Sequence, residues 1–258
     1  MHSRISCYVL GLVPIENHGK CFRQGLILNR SFGIAALTAF AFVGCALHAS
    51  QNSAHWTTDS VLGRMDKSAA DFRSLTADIE QNKYTDVVKD TSIETGQIFV
   101  RRDQKMRIEL AKPDPKTILR TGDSLFIYTP KIKRVEEYNL GKHRAIIDQY
   151  MRLGFGTKSQ DLRKSYDINL AGEEEVDRRK TLLLELIPKS EEIRKQITKI
   201  QMWVDESSWL PIQQKFLEAS GGDYFLVRYS NMVKNLKIND AKFKQDWPKD
   251  ANRVKPRS

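Results

Sequence analysis

The chain has 258 residues, with 42 Lys and Arg against 32 Asp and Glu, a formal net charge of +10 and 29% charged residues. Its three cysteines, Cys7, Cys21 and Cys45, all precede Ala49, so the sequence beyond that point excludes disulfides, thiolate nucleophiles and zinc–cysteine centres. Basic residues alternate with acidic ones instead of forming a block, which gives no reason for a nucleic-acid partner and leaves an ordinary solvated surface, an anionic membrane surface or an acidic partner open.

Arg30 precedes the apolar run Phe32–Leu47, which is too short and too abruptly ended for a membrane span of ~20 residues and has the form of a secretory h-region. Leu47-His48-Ala49-Ser50 supplies the small residues for cleavage after Ala49. Two alternatives stay open: Phe42-Val43-Gly44-Cys45 has the form of a lipobox with Cys45 as the acylated residue, and the segment can also serve as an uncleaved anchor. The expected organisation is a signal peptide with an upstream extension over residues 1–49, one folded domain over 50–246 and a loose tail over 247–258.

Val61, Leu62, Met65, Ala69 and Phe72 fall near one face of a helix predicted over Thr57–Ser74, with Thr58 or Asp59 as its cap. Strands follow at Leu75–Val88 and Glu94–Arg101. Met106, Ile108 and Leu110 alternate with Lys105, Arg107 and Glu109 until Lys112-Pro113-Asp114-Pro115 breaks the run. Lys116–Arg120, Leu125–Tyr128 and Arg134–Tyr138 complete a meander whose turns are Thr121-Gly122-Asp123-Ser124 and Pro130-Lys131. The period then changes. Ile146, Ile147, Tyr150, Met151 and Leu153 form a helical stripe over Lys142–Leu153, bounded by Gly141 and by Gly154-Phe155-Gly156, which can act as hinges. A helical turn at Ser159–Ser165 precedes strands at Asp167–Ala171 and Thr181–Ile187, joined by a charged connection over Glu173–Lys180. Ile197–Val204 and Leu210–Leu217 form a hairpin across Asp205-Glu206-Ser207-Ser208, and Gly221-Gly222-Asp223 turns into Tyr224–Tyr229. The order helix, strands, helix, strands indicates an α+β fold in which one large antiparallel sheet is covered on one side by two principal helices.

No catalytic constellation emerges. His55 and His143 are the only histidines after Ala49 and lie outside any metal-binding spacing. Glu136 and Glu137 point to opposite faces of a strand, and Glu173-Glu174-Glu175 reads as a solvated loop. Ser124 lacks a GxSxG elbow, and Gly154-Phe155-Gly156 lacks a dinucleotide fingerprint. Phe99, Phe126, Tyr128, Tyr138, Trp203, Phe216, Tyr224 and Phe225 either line a concave apolar pocket or form the core of the sheet, and composition does not choose between the two.

Gly96, Lys105–Leu110, Pro113, Gly122–Tyr128, Pro130 and Val135, with Trp203-Val204-Asp205, Leu210-Pro211, Asn235, Ile238 and Phe243, resemble the LolA-like periplasmic lipoprotein-sorting family over Trp56 to Val254. The resemblance implies an unclosed β-barrel, a strongly curved antiparallel sheet whose helical lid covers an apolar interior that receives acyl chains. It implies a monomeric carrier without cofactor or catalysis, whose cargo is a lipoprotein or other acylated lipid passed from an inner-membrane donor to an outer-membrane acceptor. A membrane-tethered receptor or envelope assembly factor acylated at Cys45 is the alternative. It further implies that Arg107 hydrogen-bonds backbone oxygens of the lid or first helix, that Ile146, Ile147, Tyr150 and Met151 belong to the lid, and that Phe99, Phe126 and Tyr128 line the cavity. Ile108, where many relatives carry a large aromatic, and the long Glu173–Lys180 connection favour a broad LolA-like assignment over the main lipoprotein carrier.

Overall fold

The computed structural model describes residues 56–141 and 153–256. Helix α1 (Thr58–Ala70) is capped by Thr57, whose hydroxyl accepts from the Ser60 amide while the Ser60 hydroxyl accepts from the Thr57 amide. The helix therefore starts where the sequence predicts, with the cap one residue earlier. It stops at Asp71, before Phe72, because Ser74 already begins a strand with period-two burial.

Twelve strands form one sheet in the order β12-β6-β5-β4-β3-β2-β1-β11-β10-β9-β8-β7. The first meander comprises β1 (Ser74–Thr85), β2 (Asp90–Arg101), β3 (Lys105–Lys112), β4 (Lys116–Thr121), β5 (Ser124–Thr129) and β6 (Arg134–Asn139). The second comprises β7 (Tyr166–Val176), β8 (Arg179–Pro188), β9 (Ile197–Asp205), β10 (Pro211–Glu218) and β11 (Tyr224–Lys234). Pairing of β1 with β11 joins the two meanders into one sheet. Every pairing is antiparallel except that of β12 (Asn252–Val254), which lies parallel to β6. The outermost strands, β7 and β12, do not pair with each other, so the barrel is unclosed as expected.

Alternation divides the side chains between two faces. On the inner face, Val61, Leu62 and Met65 of α1 and Leu162 of α2 (Ser159–Ser165) pack against β7–β11. Beside them, Phe72 and Phe155 pack against Ala77, Ile79, Ile98, Ile108, Ile118 and Ile127 of β1–β5. A third cluster occupies the outer face of β4–β6, where Leu119, Phe126 and Val135 meet Phe243, Trp247 and Ala251.

Two expectations are corrected. Glu173–Glu175 is a strand segment, in register with Leu182, Thr181 and Lys180, and the charged connection shrinks to the two-residue turn Asp177-Arg178, both at positive φ. A sheet edge tolerates charge because one side of its ladder faces solvent. The tail expected to be loose after Asp246 is instead tied down by buried Trp247 and by β12.

Gly96 sits at a register shift between β2 and β3, where an added Cβ would come within 2.0 Å of the Glu109 carbonyl oxygen. Gly96→Ala is expected to destabilise the chain by about 1–3 kcal/mol, since the obstacle is backbone that cannot swing aside. An unchanged denaturant midpoint would show that the two strands separate freely there.

Candidate functional site

The two inner-face clusters meet at Tyr229, which packs against both. Its ring lies edge-on to Phe155, with centroids 5.0 Å apart. The Tyr229 hydroxyl donates to Gln214 Oε1 at 2.8 Å, and Gln214 Nε2 donates in turn to the Leu153 carbonyl at 2.8 Å. Gln214 is 2% exposed, so both bonds form away from water. Burial pushes the Tyr229 hydroxyl well above the usual phenol range, which keeps it a neutral donor.

The segment that Gln214 holds, Leu153-Gly154-Phe155-Gly156, is wedged against the sheet and the helix. Leu153 and Phe155 are buried. Gly154 has φ +80°, and a Cβ there would stand 2.8 Å from Pro211 Cγ and 3.0 Å from Met202 Sδ. Gly156 has φ +70°, and a Cβ would come 2.6 Å from the Phe72 ring. These glycines therefore serve close approach as well as positive φ.

A cleft of about 540 Å³ opens beside Tyr229. Ile79, Gly96 and Ala111 border it among a polar majority of Asp78, Glu80, Thr95, Gln97, Lys112, Arg228, Ser230 and Asp177, the last from the β7–β8 turn. Its volume lies within the range of small-molecule pockets, roughly 300–1,000 Å³. Arg120, 1% exposed, is in register with Met106 and Leu125 and so belongs to the inner face.

Arg107 is placed differently from what the resemblance implies. It faces opposite to Met106 and Ile108, in register with Phe99 and Leu119. Its Nη1 donates to the carbonyls of Lys242 (3.3 Å) and Lys244 (3.1 Å), Nη2 to Asp246 (2.6 Å) and Nε to Glu109 (2.6 Å). The clamp holds the C-terminal segment to the outer face. The arginine that reaches a carbonyl just past the first helix is Arg102, whose Nη1 lies 3.5 Å from the Phe72 oxygen.

Phe99, Phe126 and Tyr128 also pack on the outer face, with Trp247 centroids 5.6 Å from Phe126 and 5.8 Å from Tyr128. They do not border the cleft. Tyr138, Phe216 and Phe225 are the aromatics from the same set that belong to the inner clusters. Ile146, Ile147, Tyr150 and Met151 of the predicted lid lie outside the described residues, as do Cys45 and the signal-like segment. Reasoning from the sequence missed Gln214 and Tyr229. The signal was available for Gln214, a polar residue at an inward position between Ile212 and Phe216 of a strand whose alternate side chains are apolar.

Among the described residues no His, Cys, Asp or Glu groups arise that could hold a metal ion, and no helix is long and apolar enough to cross a membrane. At the β9–β10 turn, burial raises the pKa of Asp205, but hydrogen bonds from Ser207, Ser208 and Arg179 outweigh it and hold the carboxyl below its usual range. That residue locks a turn.

The family model described as outer membrane lipoprotein carrier protein LolA matches residues 70–246. The chain belongs to this family. An uncharacterised protein of Methanocaldococcus jannaschii is 22% identical to this LolA family chain over 210 residues, covering 81% of the chain and 55% of the relative. The chain thus spans about half the length of that curated relative. A crystal structure of an uncharacterised conserved protein from Thermus thermophilus shares the fold, with a TM-score of 0.51 at 13% identity over 77% of this chain and 98% of the other. A LolA superfamily protein of Nitrosomonas europaea gives a TM-score of 0.39 at 15% identity over 74% and 98% of the two chains.

Proposed function

We propose that this LolA family member is a periplasmic carrier that shields the acyl chains of lipoproteins or other lipids on its inner face and delivers them towards the outer membrane. The observation that carries this reading is the junction at Tyr229, where the two apolar clusters of the inner face meet against α1 and the wedged segment 153–156. An acyl chain in water costs about 0.8 kcal/mol per exposed CH₂, so a long chain requires shelter, and a cover that can lift allows release. The segment between Gly141 and Leu153 is the cover in this reading. Gln214 grips its C-terminal end.

The full chain is expected to bind a fluorescent long-chain fatty acyl probe saturably, with a 1:1 end point, and to retain lipid through native mass spectrometry. A linear, non-saturating titration together with lipid-free protein recovered from cells would remove the carrier reading. Binding should also slow hydrogen exchange between Gly141 and Gly156.

A further inference from the structure

In an antiparallel succession every second turn lies on the same rim of the sheet, so the β1–β2, β3–β4 and β5–β6 turns share one rim. That rim carries four large apolar side chains in water. Val87 is 88% exposed, Val88 66% and Ile93 51% at the β1–β2 hairpin, and Ile132 is 61% exposed at the β5–β6 turn. Exposed aliphatic residues singly need no explanation, but two at one hairpin apex and another two turns along the same rim do.

The hairpin holds these side chains out rigidly. The Asp86 amide donates to the Asp223 carboxylate at 2.7 Å, and the Lys89 ammonium lies 2.6 Å from Asp86. Tyr84 stacks on Tyr224 with centroids 5.0 Å apart, and Gly222 abuts Asp86 so closely that a Cβ would fall 2.7 Å from its Cγ. A braced hairpin does not fold its valines back onto the protein.

Cations surround the apolar apices. Lys89 belongs to the first turn, Lys112 and Lys116 flank the second, and Lys131 and Lys133 flank Ile132 in the third. The acids within the same three turns are Asp86, Asp90 and Asp114, and Lys116 is held by Glu94 at 3.1 Å with its side chain 19% exposed, so the cations open to a headgroup are Lys89, Lys112, Lys131 and Lys133. Lys131 and Lys133 pair with Asp114 and Asp250 at 3.1 Å and 2.9 Å, yet their side chains remain 71% and 64% exposed and can exchange those partners for phosphate.

We propose that this rim docks on a phospholipid bilayer with anionic headgroups, inserting Val87, Val88 and Ile132 below the headgroups while the lysines meet lipid phosphates. The apices are convex and spread over separate turns, which suits a broad deformable surface; a folded protein would need a separate recess for each. Aliphatic tips with long cationic stems beside them are the chemistry of interfacial binding. The proposal rests on the carrier reading, because a carrier must meet the membranes between which it moves lipid.

The test uses the full chain with Cys7, Cys21 and Cys45 replaced by serine and one new cysteine bearing an environment-sensitive fluorophore. Val88→Cys and Ile132→Cys report on the rim, and Val233→Cys, 48% exposed at the far end of β11, reports on the opposite one. With phosphatidylethanolamine–phosphatidylglycerol vesicles, emission from positions 88 and 132 should shift to the blue and be quenched by brominated acyl chains, while position 233 stays unchanged. Adding Val87→Asp should raise the lipid concentration needed for half the shift at position 88 by about tenfold or more. No shift at 88 and 132, an equal shift at 233, or indifference to Val87→Asp would overturn the proposal and leave the rim to a protein partner. Acyl-probe binding is measured on the same samples: probe binding without a rim shift sinks the docking alone, and a rim shift without probe binding sinks the carrier reading alone.

Discussion

Arg107→Leu is expected to release the C-terminal segment from the outer face and lower stability by about 2–4 kcal/mol, a fall in Tm of roughly 5–15 °C. Arg107 is 3% exposed and its guanidinium makes four hydrogen bonds, two of them to the carbonyls of Lys242 and Lys244. Leucine fills part of the volume and offers no donor, so those carbonyls lose their partners. Asp246, more exposed, recovers its solvation in water and adds less. Neighbouring contacts soften the loss, since Lys242 still pairs with Glu109 and Lys105 with Asp240. Trp247 is the reporter, its emission taken as the difference from a Trp247→Phe background because the chain has four tryptophans: as the segment loosens, its packing on Phe126 and Tyr128 is lost and its fluorescence should move to the red. Arg107→Lys should recover less than half of the effect, because one ammonium cannot serve two carbonyls and two carboxylates at once. Arg102→Leu, which gives up one 3.5 Å contact, should change stability by no more than about 0.5 kcal/mol. If Arg107→Leu melts like the parent with an unshifted Trp247, the arginine is not what fastens this segment.

The case of Arg107 marks how far period-two alternation carries. Alternation places Arg107 opposite Met106, Ile108 and Leu110, and the structure has them so. It does not say which face is inner when both are buried, and in β3–β6 both are: the inner side under Phe72 and Phe155, the outer under Phe243 and Trp247. Phe99, Phe126 and Tyr128 therefore read as cavity lining although they lie beneath the C-terminal segment. That segment escapes local reading for a related reason. Trp247 and Ala251 show no period, and β12 is held by pairing to β6, more than a hundred residues earlier.

Charge misled in the opposite direction at Glu173–Glu175, where three successive acids resemble a loop but sit on the outermost strand β7, free of a second strand neighbour. The hairpins of β9–β11 were legible because Asp205–Ser208 and Gly221–Asp223 are turn chemistry between alternating runs. Gln214 was not recognised because a single amide in an apolar register has no meaning until its partners are known. Those partners come from β11 and from residue 153, the end of a segment distant in sequence.

Gln214→Leu should uncouple that segment from the sheet. Leucine leaves the Leu153 carbonyl without its donor and the Tyr229 hydroxyl without its acceptor, at about 1–3 kcal/mol for each buried group. A loss of about 3 kcal/mol in the local closing equilibrium speeds hydrogen exchange at Leu153–Gly156 by roughly a hundredfold. Tyr229→Phe is the discriminating companion. It removes only the hydroxyl, keeps the Phe155 contact and leaves the Gln214–Leu153 bond in place, so its effect on exchange should be several-fold smaller. Because the two side chains act through one relay, the double variant should cost less than the sum of the single ones. In the carrier reading the wedged segment competes with cargo for the inner face, so weakening it raises the population able to bind. Gln214→Leu should then take up the acyl probe about tenfold more tightly and pass it to acceptor vesicles more slowly, whereas a variant that had merely lost stability would bind less. Unchanged exchange at Leu153–Gly156, with parental uptake and transfer, would reduce Gln214 to a core amide that plays no part in opening.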